Sequence, residues 1–158
     1  MPEGNGMNGS AISAASTGTG RFQTRLELPG GPILADEPAD VGGLGTGPTP
    51  YQLLSAALAA CTSMTLRLYA ERKGWVLPSF TVEVSHSFVA PRDRFDRHIV
   101  FSEPLSPEWR SRLAEIADQC PVHRTLIRGF EIVTTAGPGE AADPAGQHLS
   151  DMEAACAD

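Results

Sequence analysis

Alternating apolar and polar positions predict the strands of this chain. Residues Arg21–Leu28 alternate with the two-residue period of a half-buried strand, and Ile33–Ala35 returns after a Pro-Gly-Gly-Pro turn. The same alternation covers Phe80–Phe88 and Phe95–Phe101, where Arg97 shares a face with three apolar residues. A polar segment, residues 90–94, joins these two strands, so we expect a hairpin with a long loop.

A long apolar segment between the two strand pairs predicts the core helix. Thr49 can cap it, Pro50 suits the first helical position, and Gln52 completes a capping box. The helix should run to about Lys73, because Gly74 is a typical C-terminal stop. Its first half is apolar on most faces, which is typical of a buried helix.

The remaining elements complete an α+β layout. Pro107 begins a second helix whose apolar positions follow the helical period through Cys120, and Phe130–Thr134 predicts a last strand. The order β-β-α-β-β-α-β favours an antiparallel sheet packed on two main helices.

Both ends of the chain lack apolar periodicity. Residues 1–19 are rich in Gly, Ser, Ala and Thr, and residues 137–158 carry five acidic residues and no Lys or Arg. Such compositions are typical of disordered segments. We therefore expect a disordered N-terminal tail (1–19), one folded domain (20–136) and an acidic disordered C-terminal tail (137–158).

Charge and cysteine content limit the function classes. The net charge is -7, and no basic stripe is present, which argues against nucleic acid and anionic membranes as partners. The longest apolar run, Ala56–Cys61, is too short to span a bilayer, and no secretory signal is apparent. Three cysteines do not form a paired secreted framework. We expect a cytoplasmic protein with reduced thiols.

Two cysteines have chemical potential. Cys61 lies on the inward stripe of the core helix, where it either packs or reacts. Cys120 precedes Pro121, which either stops the second helix or begins a new turn, and exposed amides there, with His123 and Arg124 near, would favour a thiolate. Cys156, in the acidic tail, has no evident role.

A Gly-rich loop, residues 41–48, precedes the core helix. Such loops can hold phosphate, but no Lys follows the glycines, so a flexible connector is the favoured interpretation.

Three segments resemble the OsmC/Ohr family, the osmotically inducible and organic hydroperoxide resistance proteins. They are Gly47–Leu54, Ala59–Met64 and Cys120–Leu126, within a match over about residues 20–135. The resemblance implies an intertwined homodimer with two central helices between sheets of both chains, and two active sites at the interface. It also implies a peroxidatic cysteine, a resolving cysteine and a site arginine, which fall on Cys61, Cys120 and Arg21.

One position departs from the family's pattern. The best-studied members carry a glutamate ten residues before the peroxidatic cysteine, paired with the site arginine, and here that position is Tyr51. Tyrosine cannot neutralise a guanidinium as a carboxylate does. Asp36 and Glu37 are candidate substitute partners for Arg21.

The resemblance implies a thiol-dependent peroxidase for organic hydroperoxides. Cys61 would form a sulfenic acid, Cys120 would close a Cys61–Cys120 disulfide, and an external dithiol would reduce it. No cofactor or metal is required. Two alternatives stay open: a metal site made of Cys61, Cys120 and His123, and a non-catalytic module that senses redox state or binds a small ligand.

Overall fold

The computed structural model describes residues 11–137. In chain order the elements are strands β1 (Ser13–Ser16), β2 (Thr24–Glu27) and β3 (Ile33–Ala35), helix α1 (Pro50–Lys73), strands β4 (Phe80–Val89) and β5 (Arg92–Phe101), and helices α2 (Pro107–Asp118) and α3 (Pro121–Arg128). A 3-10 turn, Ala39–Val41, lies between β3 and α1. The strands form a three-stranded antiparallel sheet, β1-β2-β3, and a separate hairpin, β4-β5. The predicted α+β class is confirmed.

The predicted ends of α1 are confirmed by its capping contacts. Thr49 Oγ1 accepts a hydrogen bond from the Gln52 N–H at 3.3 Å, and Gln52 Oε1 accepts one from the Thr49 N–H at 2.9 Å. Gly74 ends the helix with a φ of 65°, a conformation that glycine adopts without a steric cost. These two local signals fix the length of the helix that carries Cys61.

Helix α1 packs against β4, α2 and α3, and its buried face forms the centre of the domain. Leu66, Leu113 and Ala117 form the core cluster, and Thr62 and Cys120 are fully buried as well. The polar Thr62 and the thiol of Cys120 therefore lie inside the packed part of the molecule.

The opposite face of α1 is apolar and exposed. Leu54, Met64 and Leu68 are 42%, 68% and 48% exposed. By length and composition α1 is also apolar enough to cross a membrane, with a mean hydropathy of 1.3 over its most apolar stretch, so the argument from the short run Ala56–Cys61 was wrong. Its packing against three other elements is that of a core helix, and the stripe is a contiguous apolar surface left exposed within the described residues.

Strand β1 lies inside the stretch predicted as a disordered tail. Ser13–Ser16 pair with Thr24–Glu27, although their side chains are small and exposed. Backbone hydrogen bonds to β2 order this segment. Because backbone groups make these bonds, the sequence of β1 shows no apolar pattern that would predict it. Residues 1–10 and 138–158, with Cys156 and nearly all of the predicted acidic tail, lie outside the described residues.

Three other predicted boundaries were wrong. The first strand is shorter than Arg21–Leu28, so Arg21 lies in the turn before β2. The β4-β5 loop is short, because Val89 pairs directly with Arg92. Residues 130–134 do not form a strand, since no neighbouring strand within residues 11–137 pairs with them, and Phe130, Ile132 and Val133 are exposed.

Candidate active site

Cys61 lies in the middle of α1, at the border between two faces. The neighbouring Leu58 and Thr62 are buried, whereas Met64 belongs to the exposed stripe. Cys61 is a partly exposed residue, and its thiol is not in a disulfide.

Cys120 lies at the junction of α2 and α3. Helix α2 ends at Asp118, two residues earlier than predicted, and Pro121 begins α3, so both alternatives left open for Cys120-Pro121, a helix stop and a new turn, are present. The Cys120 carbonyl accepts a hydrogen bond from the Arg124 N–H at 3.0 Å, the first turn of α3. The thiol is fully buried and free. The chain thus holds it at the N-terminus of a helix, where amide N–H groups face outward from the helix end.

The two thiols share one site, although 59 residues separate them in the sequence. Burial raises the pKa of Cys61, the Val122 N–H lowers it, and a hydrogen-bonding interaction with Cys120 raises it further; the net pKa is raised. Burial also raises the pKa of Cys120, but interactions with the His123 N–H and Cys61 lower it, and the net pKa is lowered. Within one chain the negative charge of the pair is therefore best held at Cys120.

Arg97 and Thr62 belong to this site and were not predicted. Arg97 Nη1 donates hydrogen bonds to Thr62 Oγ1 at 3.0 Å and to the Ala117 carbonyl at 3.1 Å. Thr62 Oγ1 lies 3.9 Å from the Cys120 sulfur. The sequence did contain a signal, because Arg97 occupies an inward position of β5 between Phe95 and Ile99.

An apolar cavity of about 440 Å³ is lined by residues of α1, β5 and α3, some of them close in the sequence to the two cysteines. Leu58, one turn before Cys61, and His123, three residues after Cys120, both line it. Phe95, Leu126 and Ile127 supply further apolar surface, and Arg92 and Asp93 supply its charged groups. Neither cysteine lines this cavity or a larger one of about 560 Å³ near Tyr51.

Comparison with known proteins identifies the family. The family model for OsmC-like proteins matches residues 43–135, more than half of the chain. This chain belongs to the OsmC-like protein family. No curated protein sequence matches it.

Solved structures share the OsmC-like fold. An OsmC-like protein of Mycoplasma pneumoniae is 22% identical with a TM-score of 0.62, over 74% of this chain and 86% of that one. A Psychrobacter arcticus protein assigned to osmotic stress and detoxification is 24% identical with a TM-score of 0.61, over 72% and 85%. The organic hydroperoxide resistance protein OsmC of Legionella pneumophila is 22% identical with a TM-score of 0.58, over 75% and 88%. These likenesses show the fold.

Arg21 lies apart from the cysteine pair within one copy of this OsmC-like chain. It precedes β2, and its guanidinium lies 5.1 Å from the centre of the Phe22 ring. The sheet that follows it packs mainly within itself, whereas the cysteines lie among α1, α2 and α3. The predicted role of Arg21 at Cys61 therefore depends on a second chain.

Tyr51, at the position of the expected glutamate in the OsmC-like helix, contacts a different partner. Its ring stacks on the imidazole of His86, and His86 Nε2 lies 2.8 Å from Asp93 Oδ1. Within the described residues Tyr51 thus joins α1 to β4, and its contacts are separate from those of Arg21.

Asp36 organises the Gly-rich loop. Its carboxylate accepts hydrogen bonds from the Thr46 hydroxyl at 2.7 Å and from the N–H groups of Glu37, Leu44 and Thr46. The Thr46 hydroxyl, above all, lowers the pKa of Asp36, against the effect of burial. The loop is therefore ordered, and its N–H groups hold a carboxylate that the protein itself supplies.

The OsmC-like site offers no ready metal cage within residues 11–137, where no three His, Cys, Asp or Glu side chains are grouped to hold an ion. His123 Nδ1 faces Asp118 Oδ1 at 3.7 Å. Cys61, Cys120 and His123, the candidate metal ligands, are therefore not grouped to hold an ion. The His123 imidazole lies beside the Asp118 carboxylate instead.

Proposed function

We propose that this OsmC-like protein is a thiol-dependent peroxidase that reduces organic hydroperoxides, with Cys61 as the attacking thiol and Cys120 as the resolving thiol. The observation that carries the proposal is the contact between α1 and the α2–α3 junction: the hydroxyl of Thr62, the residue after Cys61, lies 3.9 Å from the free and fully buried Cys120 sulfur. The family includes hydroperoxide resistance proteins, and the Legionella pneumophila relative is described as one.

Exposure favours Cys61 as the attacker. Cys61 is a partly exposed residue, whereas Cys120 is fully buried, and Leu58, one turn before Cys61, lines the apolar cavity. The Cys61 thiolate takes the distal peroxide oxygen, the O–O bond breaks, and the leaving alkoxide takes a proton to become the alcohol. The product is a sulfenic acid at Cys61. The apolar walls of the cavity suit the organic group of the substrate.

Cys120 then closes the cycle. Its thiolate attacks the sulfenic sulfur, the S–S bond forms, and hydroxide leaves and is protonated to water. An external dithiol reduces the disulfide and restores both thiols. We place the proposed cycle in the cytoplasm. It uses no cofactor, because sulfur chemistry supplies each step.

A cation is needed beside Cys61, because its net pKa within one chain is raised. We assign this cation to Arg21 of the second chain in a homodimer, since one chain keeps Arg21 beside its own Phe22. A guanidinium near the sulfur stabilises the thiolate and lowers its pKa. The exposed apolar stripe of α1 borders Cys61 and offers the surface for that dimer.

Turnover tests the proposal. The wild-type protein with excess synthetic dithiol should consume many equivalents of an organic hydroperoxide such as cumene hydroperoxide. Cys61→Ser should consume none, because a serine hydroxyl is not appreciably ionised near neutral pH, and Cys156→Ser is the matched control that should behave as wild type. Consumption of a single equivalent by the wild type would instead favour a redox-sensing module, and no consumption would favour a small-ligand-binding module.

A further inference from the structure

Arg97 is a cation that the chain buries behind the cysteine pair. Its side chain is only 12% exposed, and its guanidinium donates hydrogen bonds to the Thr62 hydroxyl, the Ala117 carbonyl and the Asp118 carboxylate. A guanidinium is costly to bury unless its hydrogen bonds are satisfied. Arg94, on the same strand, shows the ordinary alternative, because it is 63% exposed and pairs with Asp96.

Arg97 also determines what the Thr62 hydroxyl can do. A hydroxyl has one proton to donate and two lone pairs, and Arg97 occupies the accepting side of Thr62. The Thr62 proton is then directed either to the Leu58 carbonyl, 2.8 Å away, or to the Cys120 sulfur, 3.9 Å away. A negative charge on the Cys120 sulfur would attract the Thr62 proton. The Arg97 guanidinium, on the other side of Thr62, would stabilise that negative charge further.

We infer that Arg97, acting through Thr62, is a positioning residue that stabilises the Cys120 thiolate for its attack on the Cys61 sulfenic acid. The inference rests on the proposed peroxidase function and extends it to a residue outside the cysteine motifs. The arrangement puts a full positive charge, on a side chain that is only 12% exposed, one hydroxyl away from the fully buried resolving sulfur.

The chemistry of resolution requires such support. The Cys120 sulfur must be a thiolate to donate its electron pair to the Cys61 sulfur; the S–O bond of the sulfenic acid breaks, and hydroxide leaves and takes a proton from solvent. Complete burial works against a thiolate, because it removes water from the charge. A slow resolving step would leave the sulfenic acid open to irreversible oxidation.

Some groups around Cys120 stabilise its thiolate, and others oppose it. From α1 come the Cys61 thiol and the Thr62 hydroxyl, from β5 comes Arg97, and from α3 come the N–H groups of Val122 and His123. At the end of α2, the Asp118 carboxylate, 59% exposed, accepts a hydrogen bond from Arg97 Nη2 and faces the His123 imidazole. Removing the Asp118 carboxylate should therefore lower the pKa of Cys120, because the Arg97 charge is then less neutralised. Removing the Arg97 guanidinium or the Thr62 hydroxyl should raise that pKa.

The test is the titration of Cys120 by the ultraviolet absorbance of its thiolate. The Cys61→Ser/Cys156→Ser background leaves Cys120 as the one cysteine of the three, and the serine introduced on α1 keeps a hydroxyl donor beside it. Arg97→Met should raise the titration midpoint by roughly one to two pH units, and Arg97→Lys should restore part of the shift. Thr62→Val should raise the midpoint, and Thr62→Ser should keep it near the parent value.

Two further variants separate a charge effect from a packing defect. Asp118→Asn should move the midpoint downward, opposite to Arg97→Met, and Arg94→Met is the matched surface control that should leave it unchanged. If Arg97→Met fails to fold, the midpoints of Thr62→Val, Thr62→Ser and Asp118→Asn test the inference in its place. Midpoints that stay at the parent value in folded Thr62→Val and Asp118→Asn would overturn the inference.

The titration uses neither peroxide nor reductant, so its failure is distinct from failure of the proposed function. Unshifted midpoints in a protein that turns over peroxide would remove Arg97 from the mechanism and leave the peroxidase. Shifted midpoints in a protein that never turns over would keep the electrostatic role and remove the peroxidase.

Discussion

The ring of Tyr51 lies flat against the imidazole of His86, with centroids 4.0 Å apart and planes 4° apart. His86 also contacts Phe95 through ring centroids 5.0 Å apart and pairs with Asp93. The resemblance led us to expect a glutamate at this position, and here Tyr51 links the start of α1 to the β4-β5 hairpin. Its contacts therefore indicate a structural contribution at the start of the helix that carries Cys61.

Truncation of Tyr51 should test this contribution. Tyr51→Phe keeps the ring and should change the free energy of unfolding little, whereas Tyr51→Ala should lose about 0.5–1.5 kcal/mol of stacking in addition to the loss of buried area. Urea unfolding at a fixed protein concentration measures both, and a double-mutant cycle with His86→Ala isolates the pair. A coupling energy near zero would show that the stack adds nothing to stability.

Asp36 should give the stability a pH dependence at its acid end. Hydrogen bonds, that from Thr46 foremost, hold the pKa of Asp36 below its usual range in the folded state. A lowered folded-state pKa adds stability above the unfolded value of about 3.9, and this contribution is lost as the pH falls through the folded pKa. The melting-temperature difference between wild type and Asp36→Asn should therefore be large at pH 7 and shrink below about pH 4.

Asp40 is the matched control for this experiment, because it is an exposed carboxylate near the same loop. Asp40→Asn should show a small difference from wild type with little dependence on pH. A constant difference for Asp36→Asn from pH 7 to pH 3 would contradict the assigned role of the carboxylate.

The sequence predicted elements whose signals are local. The capping box at Thr49 and the stop at Gly74 gave both ends of α1, and alternation located β4 and β5. Strand β1 was missed because its order comes from backbone pairing with β2 across a turn, which its small side chains do not encode. The segment at Phe130 has the pattern of a strand without a pairing partner within the described chain.

The two cysteines of the candidate site could be predicted from the sequence, but the residues around them could not. Cys61 and Cys120 lie in recognisable motifs, whereas the contact of Arg97 with Thr62 arises only when β5 packs beside α1. A charged residue at an inward strand position was the available signal. The placement of Arg21 in a turn, and not in a strand, depends on how the N-terminal sheet pairs.

A substitution in the exposed stripe of α1 should disrupt the predicted homodimer. Wild type should sediment as a dimer at micromolar concentration, and Met64→Glu should sediment as a monomer, because a carboxylate would be buried at the interface. Val76→Glu is the control, since Val76 is 89% exposed and lies beyond the helix. A monomeric wild type would contradict the dimer and, with it, the supply of Arg21 by a second chain.

Loss of Arg21 should slow the first oxidation without changing which sulfur is oxidised. Arg21→Ala should raise the pKa of Cys61 and lower the rate constant for its oxidation about tenfold or more near neutral pH, an effect equal to roughly one pKa unit. Arg25→Ala is the control, because Arg25 is exposed and pairs with Glu27. Stopped-flow single-turnover rates compare them, and equal rates for both variants would exclude Arg21 from the site.

The identity of the first oxidised cysteine tests the central claim most directly. Cys120→Ser, given one equivalent of organic hydroperoxide and then a sulfenic-acid trap, is analysed by peptide mass spectrometry. The account predicts stoichiometric sulfenic acid at Cys61, followed by sulfinic acid when more peroxide is added. Wild type under the same conditions should instead give the Cys61–Cys120 disulfide. A Cys61 that stays reduced in Cys120→Ser, or a Cys61→Ser variant that forms sulfenic acid at Cys120, would contradict the assignment of attacker and resolver.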